Sequence, residues 1–262
     1  MILLLDIGNT HTHLGLADAD GVRKQTNIKT ALWASGGAAG AVRRFVGRAR
    51  ITGAVLCSVV PAATGRVVGF CQKEFAIAAL ELTPRTIAGV GINYPRPGSI
   101  GPDRLANAVA LRHHFGAPAL AVDFGTAVTF DVVDAQGDYA GGIIAPGLAA
   151  MTDYLHEKTA LLPRITIRET SSVVGKSTRE AMLIGAVHGY RGLVRELILE
   201  LKRELKCRRL PVVATGGCAE LLAARLPEIT AVDPNLTLEG LRLVWLANNL
   251  ATRPASRRIR RA

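Results

Sequence analysis

Two short stretches carry the residues best suited to chemistry. LLLDIGNTHTH, residues 3–13, runs an apolar strand into Asp6, turns at Gly8 and continues as a second strand. LAVDFGTAVTF, residues 120–130, does the same around Asp123 and Gly125. A carboxylate at a strand end, followed by glycine and small hydroxyl or amide residues, suits phosphate chemistry. The glycine lets backbone N–H groups approach phosphate oxygens, and the aspartate can hold a charge-offsetting cation, directly or through water. One such turn also closes ordinary hairpins. Two copies, each between apolar strands and about half the chain apart, are far more specific, and two facing copies would bring two carboxylates to opposite sides of one nucleotide. Each stretch later closes on Asp-Ala-x-Gly, at Asp18–Gly21 and Asp134–Gly137.

Other candidates are less decisive alone. In VVATGGCAELL, residues 212–222, a strand enters a helix through Gly216 and Gly217; this is either an ordinary tight loop or a close backbone approach to an adenosine. Gly101-Pro102-Asp103-Arg104 opens a helix, so Asp103 fits both a helix cap and a general base held ionised beside Arg104. Arg104 can grip a carboxylate in a two-pronged fashion. Ser177-Thr-Arg-Glu180 is a capping-box pattern that puts Thr178 in a first helical turn. His11 and His13 alternate on one strand face like a metal pair, but no third ligand has suitable spacing, and a solvent-facing or backbone-contact role is expected. His113, His114, His156 and His188 read as helix-surface or partly buried residues. The chain has neither a Gly-x4-Gly-Lys-Ser/Thr loop nor a Gly-x-Gly-x-x-Gly, so neither a P-loop NTPase nor a Rossmann dehydrogenase is expected.

The elements that must position these residues fall into two similar halves. Residues 1–116 read as three hairpin-linked strands, a helix over 38–50, a buried strand within ITGAVLCSVV (51–60) and a helix over 65–75. Residues 117–252 read as three hairpin-linked strands, helices over 148–160 and 177–205, the strand LPVVAT and a last helix over 237–251. The long helix after Ser177 carries an apolar stripe and is an interface candidate. The expected class is α/β with internal duplication.

Composition sets the outer limits. The chain has 262 residues, 49% of them hydrophobic, with 27 glycines, which fits one large or two ordinary well-packed domains. Four scattered cysteines without a Cys-x-x-Cys pair argue against a zinc cluster or a disulfide framework. The apolar N-terminal run has no basic lead and stops at Asp6, a poor signal peptide; no stretch reaches the roughly 18–20 apolar residues of a membrane helix. A cytoplasmic protein with no membrane partner is expected. The net charge of +11 invites nucleic acid, but five arginines lie in the last ten residues, RPASRRIRRA, expected to be a basic, disordered tail over 253–262. With only 5% aromatic residues, stacking platforms are scarce, so nucleic acid is not an expected partner.

The duplication resembles the superfamily of acetate and sugar kinases, heat-shock chaperones and actin. DIGNT, GINYPRPGSIGPDRLANA (91–108), DFGTAVTFD, GGIIAPG and the STREAM helix start, in that order, resemble type III pantothenate kinases over nearly the whole chain. The resemblance implies duplicated actin-like, ribonuclease H-like domains with a nucleotide cleft between them. It also implies ATP-dependent phosphorylation of pantothenate to 4'-phosphopantothenate, the first step of coenzyme A biosynthesis. By resemblance, Asp103 is the proton acceptor, and Tyr94, Gly101, Pro102, Asp103, Arg104 and Thr178 meet pantothenate. Asp6, Ile7, Gly8, Asn9, Thr10, His11, Thr12, His13 and Thr126 meet ATP, with Asp6 positioning Mg2+. Asp123 matches the site of a monovalent cation, K+ or NH4+, and a homodimer is implied. Two departures stand out: Tyr94 is followed by Pro95 and then Pro97, which stiffen its loop, and Ile184 precedes Gly185 where the family carries a small polar residue. Alternatives are a kinase of another small hydroxylated acid or sugar, and a DNA-binding regulator. A chaperone-like or cytoskeletal ATPase is disfavoured because the chain carries no separate peptide-binding domain or large insertion.

Overall fold

The computed structural model describes residues 1–250, so the basic stretch expected as a tail lies outside the described residues. In chain order the elements are β1 (Ile2–Ile7), β2 (His11–Ala17), β3 (Val22–Lys29), α1 (Leu32–Ser35), α2 (Ala38–Val46), β4 (Gly53–Ser58), α3 (Pro61–Phe75), β5 (Leu80–Glu81), β6 (Gly91–Ile92) and α4 (Pro102–Phe115). There follow β7 (Ala119–Phe124), β8 (Ala127–Val133), β9 (Asp138–Pro146), α5 (Leu148–Lys158), α6 (Thr178–Ile184), α7 (Tyr190–Glu204), β10 (Val212–Thr215), α8 (Ala219–Ala223), β11 (Ala231–Val232) and α9 (Leu236–Leu250). The chain divides into two units. Unit 1 holds residues 1–89 and 101–109 and the described residues from Leu238 on, and unit 2 holds 90–100 and 110–237.

Unit 1 has a five-stranded sheet in the order β3-β2-β1-β4-β5. The first three strands are antiparallel hairpins, and β4 and β5 join in parallel. Unit 2 repeats the plan as β11-β10-β7-β8-β9, with β6 added in parallel at the β9 edge. The duplication extends to single positions. In both β1 and β7 every residue is buried except the fifth, which is the aspartate. Near-continuous apolar strands of this kind need cover on both faces, so a carboxylate among them sits where the strand is about to leave the core. Both outer hairpin ladders slip by one residue, at Leu16/Ala17 and Val132/Val133. The Asp-Ala-x-Gly repeats close hairpins: Asp18 Oδ1 accepts from the N–H groups of Asp20 and Gly21, and Asp134 Oδ1 from those of Gln136 and Asp138.

The helices differ from expectation at their ends. α2 stops at Val46 because Gly47 takes φ 58°. α3 begins four residues earlier than its apolar pattern suggests, with Pro61 in the first turn, where a missing N–H costs nothing. The run expected over 177–205 is helical throughout but not uniformly α, since Gly185–Gly189 forms a π-turn between α6 and α7. The apolar stripe of α7 is not an exposed surface. Tyr190, Val194 and Ile198 are buried in unit 2's own core with Phe124 and Phe130.

Within unit 1, α9 fixes the helix that carries Asp103. At Gly240 the backbones of α9 and α4 meet so closely that a Cβ would lie 1.9 Å from the carbonyl oxygen of Ala106. Gly240→Ala is therefore expected to destabilise the protein by about 1–3 kcal/mol through overpacking. Urea unfolding, reading the midpoint at unchanged slope, checks this.

Candidate active site

The two aspartate turns are built alike and held differently. In unit 1, Gly8 donates to the His11 carbonyl at 3.0 Å to close the β1–β2 turn. Thr30, at the end of β3, clamps that turn from below: its hydroxyl donates to Gly8 O at 2.7 Å and its N–H to Thr10 O at 3.0 Å. Thr12 is buried, hydrogen-bonded to Thr30 Oγ1 and accepting from Trp33 Nε1, and Ile7 is buried in the core. The side chains of Ile7 and Thr12 are thus committed to the fold, and the surface that the segment offers a ligand is Gly8–His11, with Asn9, Thr10 and His11 exposed. His13 is half-buried, and desolvation, with the neighbouring His11 charge, lowers its pKa. Among the described residues no cluster of three or more metal-ligating side chains exists.

Asp6 is the most perturbed group of this turn. The β1–β4 register sets it beside Cys57, whose thiol donates to Asp6 Oδ1 at 3.3 Å. Burial raises the Asp6 pKa from 3.8 to about 7, the negative charge of Asp103 adds to the rise, and the thiol opposes it. The same surroundings, burial first, push the Cys57 thiol well up, so it remains a neutral donor. Asp103 stands in the first turn of α4 in the same unit. Arg104 and the helix start are expected to keep Asp103 ionised, and in the structure they act in that direction but against burial. Burial raises its pKa, and the Arg104 N–H at 2.9 Å and the guanidinium charge only partly offset this. Gly101 makes room for the carboxylate, since a Cβ there would lie 2.5 Å from Asp103 Oδ1. Both carboxylates are disfavoured as anions, Asp103 by burial and Asp6 by burial and the charge of Asp103. A divalent cation carried by phosphate oxygens and one or two carboxylates would offset that charge.

In unit 2 the glycines explain more than the aspartate does. Gly216, at φ 88°, lies against β7 so tightly that a Cβ would be 2.5 Å from Asp123 Oδ1 and 2.7 Å from the Phe124 backbone. Its close approach is thus to the protein's own strand end, whereas a Cβ on Gly217 would meet nothing within 4 Å. Gly147, the last residue of GGIIAPG, donates to Thr126 O at 3.2 Å and has no space for a side chain against the Gly125 and Thr126 carbonyls. Tyr94 is 37% exposed and lies over Gly141, which takes φ 110°; its ring is 6.2 Å from that of Tyr139. The prolines after it lead into a short 3-10 turn over Pro97–Ser99. Thr178 is exposed in the first turn of α6. The cap there differs slightly from the expected box: Ser177 Oγ accepts from Glu180 N at 3.2 Å, but Glu180 reaches back to Lys176 N at 2.7 Å. Thr30, Cys57 and Gly147 are the contributors that sequence reasoning missed. Only Gly147 left a signal, as part of a glycine motif without an assigned role.

The repeated ribonuclease H-like sheet and its aspartate turns define the class, an α/β fold of duplicated actin-like domains. Solved structures agree on the fold: a Baf-family protein from Campylobacter jejuni has a TM-score of 0.61 at 18% identity, covering 95% of this chain and 99% of its own. Component A of (R)-2-hydroxyglutaryl-CoA dehydratase from Acidaminococcus fermentans has a TM-score of 0.52 at 14% identity, covering 95% and 98%. At such identities the likeness speaks for the fold alone. The sequence is more specific. The family model for type III pantothenate kinase matches residues 2–200. A type III pantothenate kinase from Methylacidiphilum infernorum is 45% identical over 93% of this chain and 87% of its own length, and one from Akkermansia muciniphila is 46% identical over 92% and 96%. The chain belongs to the type III pantothenate kinase family, and its reaction is the ATP-dependent phosphorylation of pantothenate that opens coenzyme A biosynthesis. ATP and a divalent metal belong to that activity.

The Asp6 environment has a measurable cost. Because the folded-state pKa lies above the ordinary 3.8, the native state holds this proton more tightly than the unfolded chain. Stability therefore falls as pH rises from about 4 to about 7, and the full cost applies above 7. At pH 8, in EDTA and without nucleotide, Asp6→Asn is expected to stabilise the protein by about 2 kcal/mol, or about 4–8 °C in Tm. Thermal scans from pH 4 to 8 check this, with the difference vanishing at the acid end.

Proposed function

We propose that Asp103 is the general base of this kinase and that Asp6, with the Gly8–His11 turn, receives the ATP phosphates. As the primary hydroxyl oxygen of pantothenate bonds to the γ-phosphorus, Asp103 takes the hydroxyl proton. The bond to the bridging oxygen breaks, giving ADP and 4'-phosphopantothenate. The observation that carries this reading is the Asp103 carboxylate itself, partly buried, cradled by Gly101 and with its proton affinity raised, since a base of raised pKa takes a proton more readily near neutral pH. Arg104 and Tyr94 are assigned to the substrate, Arg104 to its carboxylate, and Thr178 and the backbone of Gly101 and Pro102 to further contacts. Thr126 is assigned to a phosphate. When bound, Mg2+ would offset phosphate charge, and Asp6 would hold it.

Asp123 is assigned a monovalent cation, K+ or NH4+, supported by its partly buried place at the end of β7. A homodimer is supported by apolar side chains exposed in unit 2, with Ile144 at 63%, Leu161 at 91% and Val173 at 71%. A cytoplasmic location fits a biosynthetic kinase whose described residues include no helix long and apolar enough to cross a membrane. With ATP, Mg2+ and K+, the purified protein is expected to phosphorylate pantothenate and not sugars. Asp103→Asn should lower kcat by about 10²–10⁴-fold with the fold retained. Coupled ADP release and circular dichroism check both points; an undiminished rate removes Asp103 from the role.

A further inference from the structure

Unit 2 contains a cavity of about 630 Å³ that none of the roles above uses. Its lining includes His188 of the π-turn, Arg191 and Arg195 of α7, and Arg225, Leu226 and Ile229 beyond α8. Its size is in the range of sites that enclose small molecules. The charges around it have been partly spent. Arg191, only 4% exposed, is bound bidentately by Glu169 at 3.0 and 2.6 Å and donates to the Leu221 and Leu222 carbonyls, so it is a structural clamp. Arg195 uses Nε on Glu228 at 3.1 Å and donates from Nη2 to the Arg225 carbonyl at 3.5 Å. Arg225 has only a 3.9 Å approach to Glu169 and is 62% exposed. Three guanidiniums against the two carboxylates paired with them leave a net positive charge, and the remaining donors are Nη1 of Arg195 and the guanidinium of Arg225.

One of the lining side chains, His188, has its Nε2 buried without a partner. Buried polar atoms without partners are rare and costly. When protonated, that nitrogen can donate to an anion. Ala224, Pro227 and Ile229 give the lining its apolar part. We infer that this cavity binds a phosphomonoester with an apolar body, its phosphate gripped by Arg195 and Arg225 within reach of His188. Guanidinium groups grip phosphate through paired N–H donors, which a lysine cannot reproduce. The π-turn that supplies His188 directly follows α6, the helix that begins at Thr178. π-turns of this kind are frequent at functional sites.

The test uses phenyl phosphate as the probe, titrated calorimetrically into the full-length protein with pantothenate and a non-hydrolysable ATP analogue saturating, so that the kinase site is filled. One site per chain is expected, weakened at least tenfold in the Arg195→Ala/Arg225→Ala double variant, while kcat with pantothenate stays within twofold of the unmodified protein. The His188 imidazole resonances should shift on titration in the unmodified protein and stay still in the variant. Absence of binding under these conditions, or equal binding by the double variant, overturns the proposal.

Discussion

The structure of unit 1 turns on a like-charge pair held away from water. Asp6 ends a buried strand, Asp103 begins a helix, and each sits where the surrounding protein disfavours its charge. Much of the unit's local architecture serves to hold that arrangement. Thr30 pins the Gly8 turn, Cys57 supplies the hydrogen bond that Asp6 accepts, Gly101 leaves space for Asp103, and Gly240 lets α9 press α4 into place. Natural proteins tolerate such costs where a site needs them, because a group stabilised in its resting state gains less when substrate or cation arrives.

The duplicated scaffold has diverged along this axis. Both copies put an aspartate at the one partly exposed position of an otherwise buried strand. In unit 1 that aspartate adjoins another carboxylate and a thiol; in unit 2 Gly216 packs against Asp123 and Gly147 against the turn that follows. One fold has thus put the same residue type beside a second carboxylate in one copy and against a tightly packed glycine in the other.

The strands and the repeat were legible in the sequence because they rest on local signals: apolar runs, Asp-x-Gly turns and Asx hairpins. The motif order also placed the chain in its family. What was not legible depends on register and on three-dimensional neighbours. Nothing in CSVV marks Cys57 as the partner of Asp6; that follows from the parallel pairing of β1 with β4. Asp103 beside Arg104 reads as a carboxylate held ionised, and the burial that raises its pKa is set by three-dimensional neighbours. The apolar stripe of α7 reads equally as an interface or a core face, and Tyr190, Val194 and Ile198 turn out to fill the core of unit 2. The π-turn at Gly185–Gly189 is likewise invisible to a periodicity close to that of an α-helix.

The coupling of Asp6 to Asp103 can be read directly from the titration of the Asp6 carboxyl carbon by ¹³C NMR, in the metal- and nucleotide-free protein and in the Asp103→Asn variant. The structure predicts an Asp6 pKa of about 7 that moves down when the Asp103 charge is removed. An Asp6 that titrates in the ordinary carboxylate range, or one whose elevated pKa is unmoved by Asp103→Asn, would contradict it.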